Sequence, residues 1–276
     1  MFNSPETLFF VIVIAIFLIF FAALLIALRL RKWHWELRTQ VNSLRLNLSD
    51  AQENASKNLL HVERSIHTAT RELLNAVSIS ALDFTYPVML GGASIDGHHA
   101  RTLLFYLQER KPRYILELGS GSSSVLIAKA LAKMGHPAER HVAVDHEIHF
   151  LNLTRETARL NGVDNLIVFE HCPLEKQAND APPWYSRLPE IASKTKFDLL
   201  LIDGPPATGE GLDRSREPAL DVLAPHLAPG AIVILDDANR PGEQAIIEAW
   251  RKRHPQFRVV HVRDGKGVAV LLAPKT

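Results

Sequence analysis

One segment near the start of the chain leaves a folding polypeptide few choices. Leu8 to Leu28, LFFVIVIAIFLIFFAALLIAL, contains no charge and no strongly polar side chain. At about 1.5 Å rise per residue, a helix of that length crosses a hydrocarbon core of roughly 30 Å. A cleaved signal would carry a basic region ahead of a shorter apolar stretch. Here only Glu6 is charged before the run, and no small-residue cleavage pattern follows it. Arg29, Arg31, Lys32 and Arg38 come directly after. Positive residues on that flank predict an N-terminus outside and all downstream residues in the cytoplasm. Residues 1–29 are therefore expected to be a bilayer anchor.

Beyond the anchor the pattern becomes a polar helix with a narrow apolar seam. Leu37, Val41, Leu44, Leu48, Ala51 and Ala55 alternate steps of four and three. After a four-residue stutter to Leu59, the rhythm resumes through Val62, Ile66, Ala69 and Leu73, with no proline or glycine before Pro87. Two readings of residues 30–82 stay open. One is a coiled coil that pairs two copies of the chain through residues 37–77. The other is a single amphipathic helix lying on a surface.

Composition narrows what the remainder, residues 83–276, can be. Lys+Arg total 31 against 30 Asp+Glu, so no basic excess is available to neutralise phosphates, and a nucleic-acid partner is not expected. With 22% charged and 47% hydrophobic residues, the chain is neither disordered nor polytopic. The lone Cys172 excludes an intramolecular disulfide and a cysteine-rich zinc site.

The apolar runs alternate strand and helix. Tyr114 to Leu118, His141 to Asp145, Leu166 to Glu170, Phe197 to Asp203 and Ala231 to Asp237 read as five strands, mostly separated by amphipathic helices. FRVVHV and GVAVLLA close the chain as a hairpin across Asp264-Gly265-Lys266-Gly267. The pattern predicts an α/β fold with a doubly wound parallel sheet ending in an antiparallel strand. Ligand sites in such sheets lie at the carboxyl ends of the strands.

The first strand runs into Glu117-Leu-Gly119-Ser120-Gly121-Ser-Ser-Ser124 and opens a helix. Glycines there allow a tight turn and close approach of a ligand to the backbone. A dinucleotide fingerprint would place a third glycine at Ser124. Glu117 would repel a pyrophosphate but suits a ligand bearing an ammonium group. Asp145 closes the second strand, placed either to accept hydrogen bonds from ribose hydroxyls or to cap the next helix. Glu170-His171-Cys172-Pro173 closes the third, and His171 and Cys172 are candidates to line an adenine pocket. Trp184-Tyr185 is either an acceptor lid or packing.

These motifs resemble the class I S-adenosylmethionine-dependent methyltransferases. The resemblance is closer to bacterial members patterned ELGSG-S, DGPP, R-x-PAL and LDDA-R–E. Here the later parts read Arg216-Glu-Pro218-Ala-Leu220 and Asp236-Asp237-Ala-Asn-Arg240-Pro-Gly-Glu243. Pro87 to Gly92, then Ile95-Asp96-Gly97 before a helix, is similar to their substrate-side N-terminal segment. The resemblance covers residues 83–276 and implies a Rossmann-like seven-stranded sheet. It implies Glu117, Gly119, Ser120 and Gly121 at the methionine moiety, Asp145 at the ribose, and Asp203 facing the transferred methyl. Asp203 and Asp237 are the candidate bases, and Arg216 and Arg240 either orient the acceptor or pair with these acids.

In the catechol O-methyltransferase type a divalent metal sits at the positions of Asp203 and Asp237, with an asparagine directly after the second acid. Ala238 stands there in this chain, so the expected site is metal-free, with Asp203, Asp236 and Asp237 as the set if a metal is held. The implied activity is methylation, on oxygen, of a small-molecule, glycan or lipid-linked acceptor at the cytoplasmic face of a bacterial inner membrane. Two rivals are a membrane-anchored coiled-coil scaffold with a non-catalytic, cofactor-binding domain, and a nicotinamide oxidoreductase, which Glu117 and Ser124 disfavour.

Overall fold

The computed structural model describes residues 5–92, 94–177 and 181–275. Residues 1–4 of the expected anchor lie outside them. The chain divides into two compact units, Met1–His67 and Thr68–Thr276.

Over its described residues the first unit is helical, part of α1 (Pro5–Ser80), which has no break. The sequence had suggested an anchor helix followed by a separate polar one. The junction, Arg29 to Glu36, holds no proline or glycine, so nothing removes a backbone hydrogen bond there. Within α1 lies an 18-residue window of mean hydropathy 3.4, none of it buried. Apolar side chains surround that part of the helix on every side, with Phe20 73% exposed and Ile19 69%. A helix apolar all round needs a protein core or a bilayer around it. Further along, the seam residues Leu44, Leu48, Leu59 and Val62 are also exposed. Exposed i,i+4 pairs such as Glu53 with Lys57 at 2.7 Å support the helix only modestly.

The second unit is a layered α/β domain. Its strands are β1 (Tyr114–Leu118), β2 (Arg140–Asp145), β3 (Val168–His171), β4 (Leu174–Glu175), β5 (Trp184–Tyr185), β6 (Phe197–Ile202), β7 (Leu227–Leu235), β8 (Arg258–Val262) and β9 (Val268–Leu272). Seven form one sheet in the order β3-β2-β1-β6-β7-β9-β8, with β9 antiparallel to both neighbours. The expected architecture and reversed last strand are both present. The fifth predicted strand starts earlier than its apolar run, because Leu227 already pairs with Phe197 before a register shift.

Alternation along the strands sorts the core into two faces. Leu116, Leu118, Val142, Val144, Leu200, Ile202, Val233 and Leu235 point to one side. They pack with α6 (Pro218–Leu223) and α7 (Pro241–Arg253) through Leu220, Ile246 and Trp250. Ile115, Leu199, Leu201, Ile232 and Ile234 point to the other, against Leu103 and Leu107 of α2 (Gly97–Arg110) and Leu126 and Ile127 of α3 (Ser122–Lys133). Each such side chain contributes about 1.5–3 kcal/mol by leaving water. The last turns of α1 join this second face through Ile79.

The short β4–β5 pair was not foreseen. It draws Trp184 and Tyr185 into the first face, 5% and 2% exposed, so these aromatics are interior packing and not a lid.

Candidate active site

The turn between β1 and α3 forms one half of the carboxyl edge. Gly119 has φ +94°, and a Cβ on it would lie 3.1 Å from the Gly204 nitrogen. The turn therefore presses closely on the end of β6, in a backbone conformation that any larger residue would strain. Gly121 differs, since a Cβ there would meet nothing within 4 Å. Its amide opens the N-terminus of α3, where uncompensated N–H groups accumulate.

Asp145, at the end of β2, secures this turn. Its Oδ2 accepts from the Ser120 amide at 2.9 Å and the Ser120 hydroxyl at 2.7 Å. Its Oδ1 accepts from the Glu147 amide at 3.0 Å. Burial acts to raise its pKa, but hydrogen bonds from His146, Glu147 and Ser120 outweigh it and hold the carboxyl below its ordinary value. Asp145 is thus an ionised acid 5% exposed. It does not cap the following helix, α4 (Ile148–Leu160), whose N-cap is Glu147.

Glu117 lies elsewhere than expected. It is fully buried, paired with the His141 Nε2 of β2 and accepting from the Ser123 hydroxyl at 2.7 Å. This carboxylate braces the turn from beneath and has no exposed surface to offer a ligand. Cys172 is likewise sealed in the core, its sulfur accepting from the Arg187 amide at 3.2 Å. His171 stays half-buried at the strand end, its Nε2 3.1 Å from the His146 carbonyl.

The other half of the edge gathers acids. Asp203 follows β6, and Asp236 and Asp237 follow β7; their carboxylates lie within 4.8 Å of one another. Three basic side chains meet them. His99 Nδ1 lies 2.7 Å from Asp236 Oδ1. Arg216 reaches Asp237 Oδ2 and Asp203 Oδ1, each at 3.2 Å, and Arg240 reaches Asp237 Oδ2 at 2.9 Å. Glu243 is 3.6 Å from Arg216. Asp237 holds φ +57°, a conformation aspartate tolerates better than most residues.

Electrostatics drive two of these acids apart. Burial, with the charges of Asp236 and Asp237, pushes Asp203 up to about 7 against the opposing pull of Arg216 and His99. Burial opposes ionisation of Asp236 too, but the charge and hydrogen bond of His99 bring it down to about 2. Neighbouring carboxyls split in this way suit one to exchange protons while the other stays charged. Asp203 is also the more accessible of the two, its side chain 23% exposed against 2%. Beside the cluster, Ala207, Thr208, Gly209, Arg214, Arg240 and Glu243 line part of a cleft of about 610 Å³.

The structure therefore brings together Gly119, Ser120, Gly121 and Asp145 on one side, and Asp203, Asp236, Asp237 and Arg240 on the other. Sequence reasoning missed His99, and it marked Tyr185 only as a lid or packing residue. The doubled histidine after Ile95-Asp96-Gly97 was the available signal for the first. The buried Tyr185 hydroxyl has no hydrogen-bond partner among the described residues, and burial plus the charges of Asp145 and Asp203 push its pKa well up.

Residues 116–238 match a family described as a methyltransferase domain. The ribosomal protein L11 methyltransferase of Rhodopseudomonas palustris (strain BisB5) is 32% identical over 163 residues, which are 57% of this chain and 48% of that protein. The chain thus spans about half the length of that curated relative. Among solved structures, the O-methyltransferase TomG of Streptomyces achromogenes, in complex with SAM, superposes with a TM-score of 0.53. It is 16% identical, over 75% of this chain and 98% of that one. The O-methyltransferase of Bacillus cereus in complex with SAH gives a TM-score of 0.50 at 17% identity, over 75% and 90%. The second unit has the class I methyltransferase fold.

Proposed function

We propose that the chain is a membrane-anchored, S-adenosylmethionine-dependent O-methyltransferase whose catalytic unit faces the cytoplasm. The observation that carries this is one sheet edge with an open glycine turn beside ionised Asp145, and an accessible Asp203 whose pKa is about 7. The residues present fit the cofactor. Space lies open over Gly121, and the buried Tyr185 hydroxyl awaits a partner.

When bound, S-adenosylmethionine supplies an electrophilic methyl group on a positively charged sulfur. Gly119, Ser120 and Gly121 hold its methionine end through the backbone. Asp145 would accept from the ribose hydroxyls, and His171 would border the adenine. Glu117 and Cys172 act on this pocket only through the backbone they support. Asp203 receives the proton of an acceptor hydroxyl aligned for in-line attack, which is the main chemical help such a displacement needs. Arg240 and Asp237 border the acceptor side, where the cleft admits a small molecule or a sugar. The curated relative's name attaches to a ribosomal protein, but less than half of that protein is matched here, so its acceptor is not carried over.

The N-terminal unit supports the anchor at residues 1–29, oriented by Arg29, Arg31 and Lys32. The uncovered seam between residues 37 and 77 supports pairing of two copies. Calorimetric titration of the full chain in detergent with S-adenosylmethionine and with NAD tests the cofactor. Binding of NAD alone would overturn the assignment. Transfer of labelled methyl to a panel of small hydroxylated molecules and glycans then separates an enzyme from a binding scaffold.

A further inference from the structure

We infer that Arg216 occupies the place of a divalent cation in the acidic cluster, and that this site works without a metal. Asp203, Asp236 and Asp237 have the carboxylate spacing a metal would use. One oxygen of each is already engaged, Asp203 Oδ1 and Asp237 Oδ2 by Arg216 and Asp236 Oδ1 by His99. Arg216 is 4% exposed, and its guanidinium is directed wholly at this cluster and the strand ends that carry it. Nη2 donates to the Asp203 carbonyl at 2.6 Å and to Asp203 Oδ1 at 3.2 Å. Nη1 donates to Asp237 Oδ2 at 3.2 Å and faces the Asp236 carbonyl at 3.4 Å. Nε donates to the Pro205 carbonyl at 3.2 Å.

This is the fixed five-donor fork of arginine spread over a mixture of carboxylates and carbonyls, the donor set a hard cation would take. An ion bound at about 2.0–2.6 Å from the same oxygens would lie against a permanent positive charge. Two of the acids also have a second basic partner close by, His99 on Asp236 and Arg240 on Asp237. Arg216 is therefore a positioning residue. It fixes Asp203 beside the acceptor and supplies from within the chain the positive charge that a metal supplies elsewhere. Its use in methyl transfer rests on the proposed function, but cation binding is read without turnover.

The test is Mn²⁺ binding by the full chain in detergent, followed by electron paramagnetic resonance and thermal melts. Wild type should bind no Mn²⁺ at this cluster below millimolar concentration, and excess chelator should leave its melting temperature unchanged. Arg216→Gln uncovers the carboxylates and should bind Mn²⁺ at least about tenfold more tightly than wild type. A second change, Asp237→Asn, should abolish the gain. If Arg216→Gln does not fold alone, Mn²⁺ should restore its folding. Wild-type binding that Asp237→Asn removes would overturn the inference. So would an Arg216→Gln chain that gains no binding, or one that Mn²⁺ fails to restore.

Discussion

Two clusters of acids share one edge of the sheet, and they are finished to different degrees. On the β1–β2 side, Glu117 and Asp145 each hold defined partners, His141 and Ser123 for one, Ser120 and Glu147 for the other. On the β6–β7 side, four carboxyls share Arg216, Arg240 and His99, and Asp237 Oδ1 and Glu243 Oε1 have no hydrogen-bond partner among the described residues. Burial pushes Glu243 up as well, and Asp203 titrates near neutrality. The first cluster builds a rigid seat, and the second keeps unspent acceptor capacity for chemistry.

The largest expected effect separates the two sides by turnover. Asp203→Asn should lower kcat by about 10²–10⁴-fold while S-adenosylmethionine affinity, measured by calorimetry, stays within about threefold. Loss of affinity with unchanged kcat would put Asp203 on the cofactor side. Next is stability. Glu117→Ala strands His141 in the core and should cost about 3–5 kcal/mol in denaturant unfolding. Glu117→Gln should fold, and it should bind cofactor nearly as wild type if Glu117 only braces the turn.

Asp145→Ala should weaken S-adenosylmethionine and S-adenosylhomocysteine alike by at least about tenfold, since a charged hydrogen-bond acceptor contributes about 1.5–3 kcal/mol per bond. The smallest effect is in pH. Asp203 accepts a proton only when ionised, so kcat should rise with pH through about 7 and then level. Its folded pKa lies above the ordinary 3.8, so the stability tied to it is complete at low pH and fades as pH rises through about 7. Asp203→Asn should flatten both curves, and melts between pH 5 and 8 would expose a failure.

The centre of the sheet was legible because β1, β2, β6 and β7 announce themselves locally, as apolar runs ending in ELGSG, Asp145, LIDG or LDD. What was not legible depends on partners far apart in the chain. Glu117 reads as a ligand contact until the β1–β2 register brings His141 near it. His99 sits at the start of α2, yet it completes an acid at the end of β7. Trp184 and Tyr185 disclose their burial only through the antiparallel register with Leu174 and Glu175. The unbroken α1 was missed for the opposite reason: a change of composition was read as a change of element, although no residue there ends a helix.

The sealing of Cys172 has a practical consequence. It is the chain's single thiol, and its sulfur faces the core with the Arg187 amide on it. A maleimide or an oxidant should find almost nothing to react with on the native protein. A cysteine introduced at an exposed position such as Leu48 or Leu59 would be the one reactive handle. Oxidation across two such handles, or a spin label on each, would report whether the seams of two chains meet, with no background to subtract.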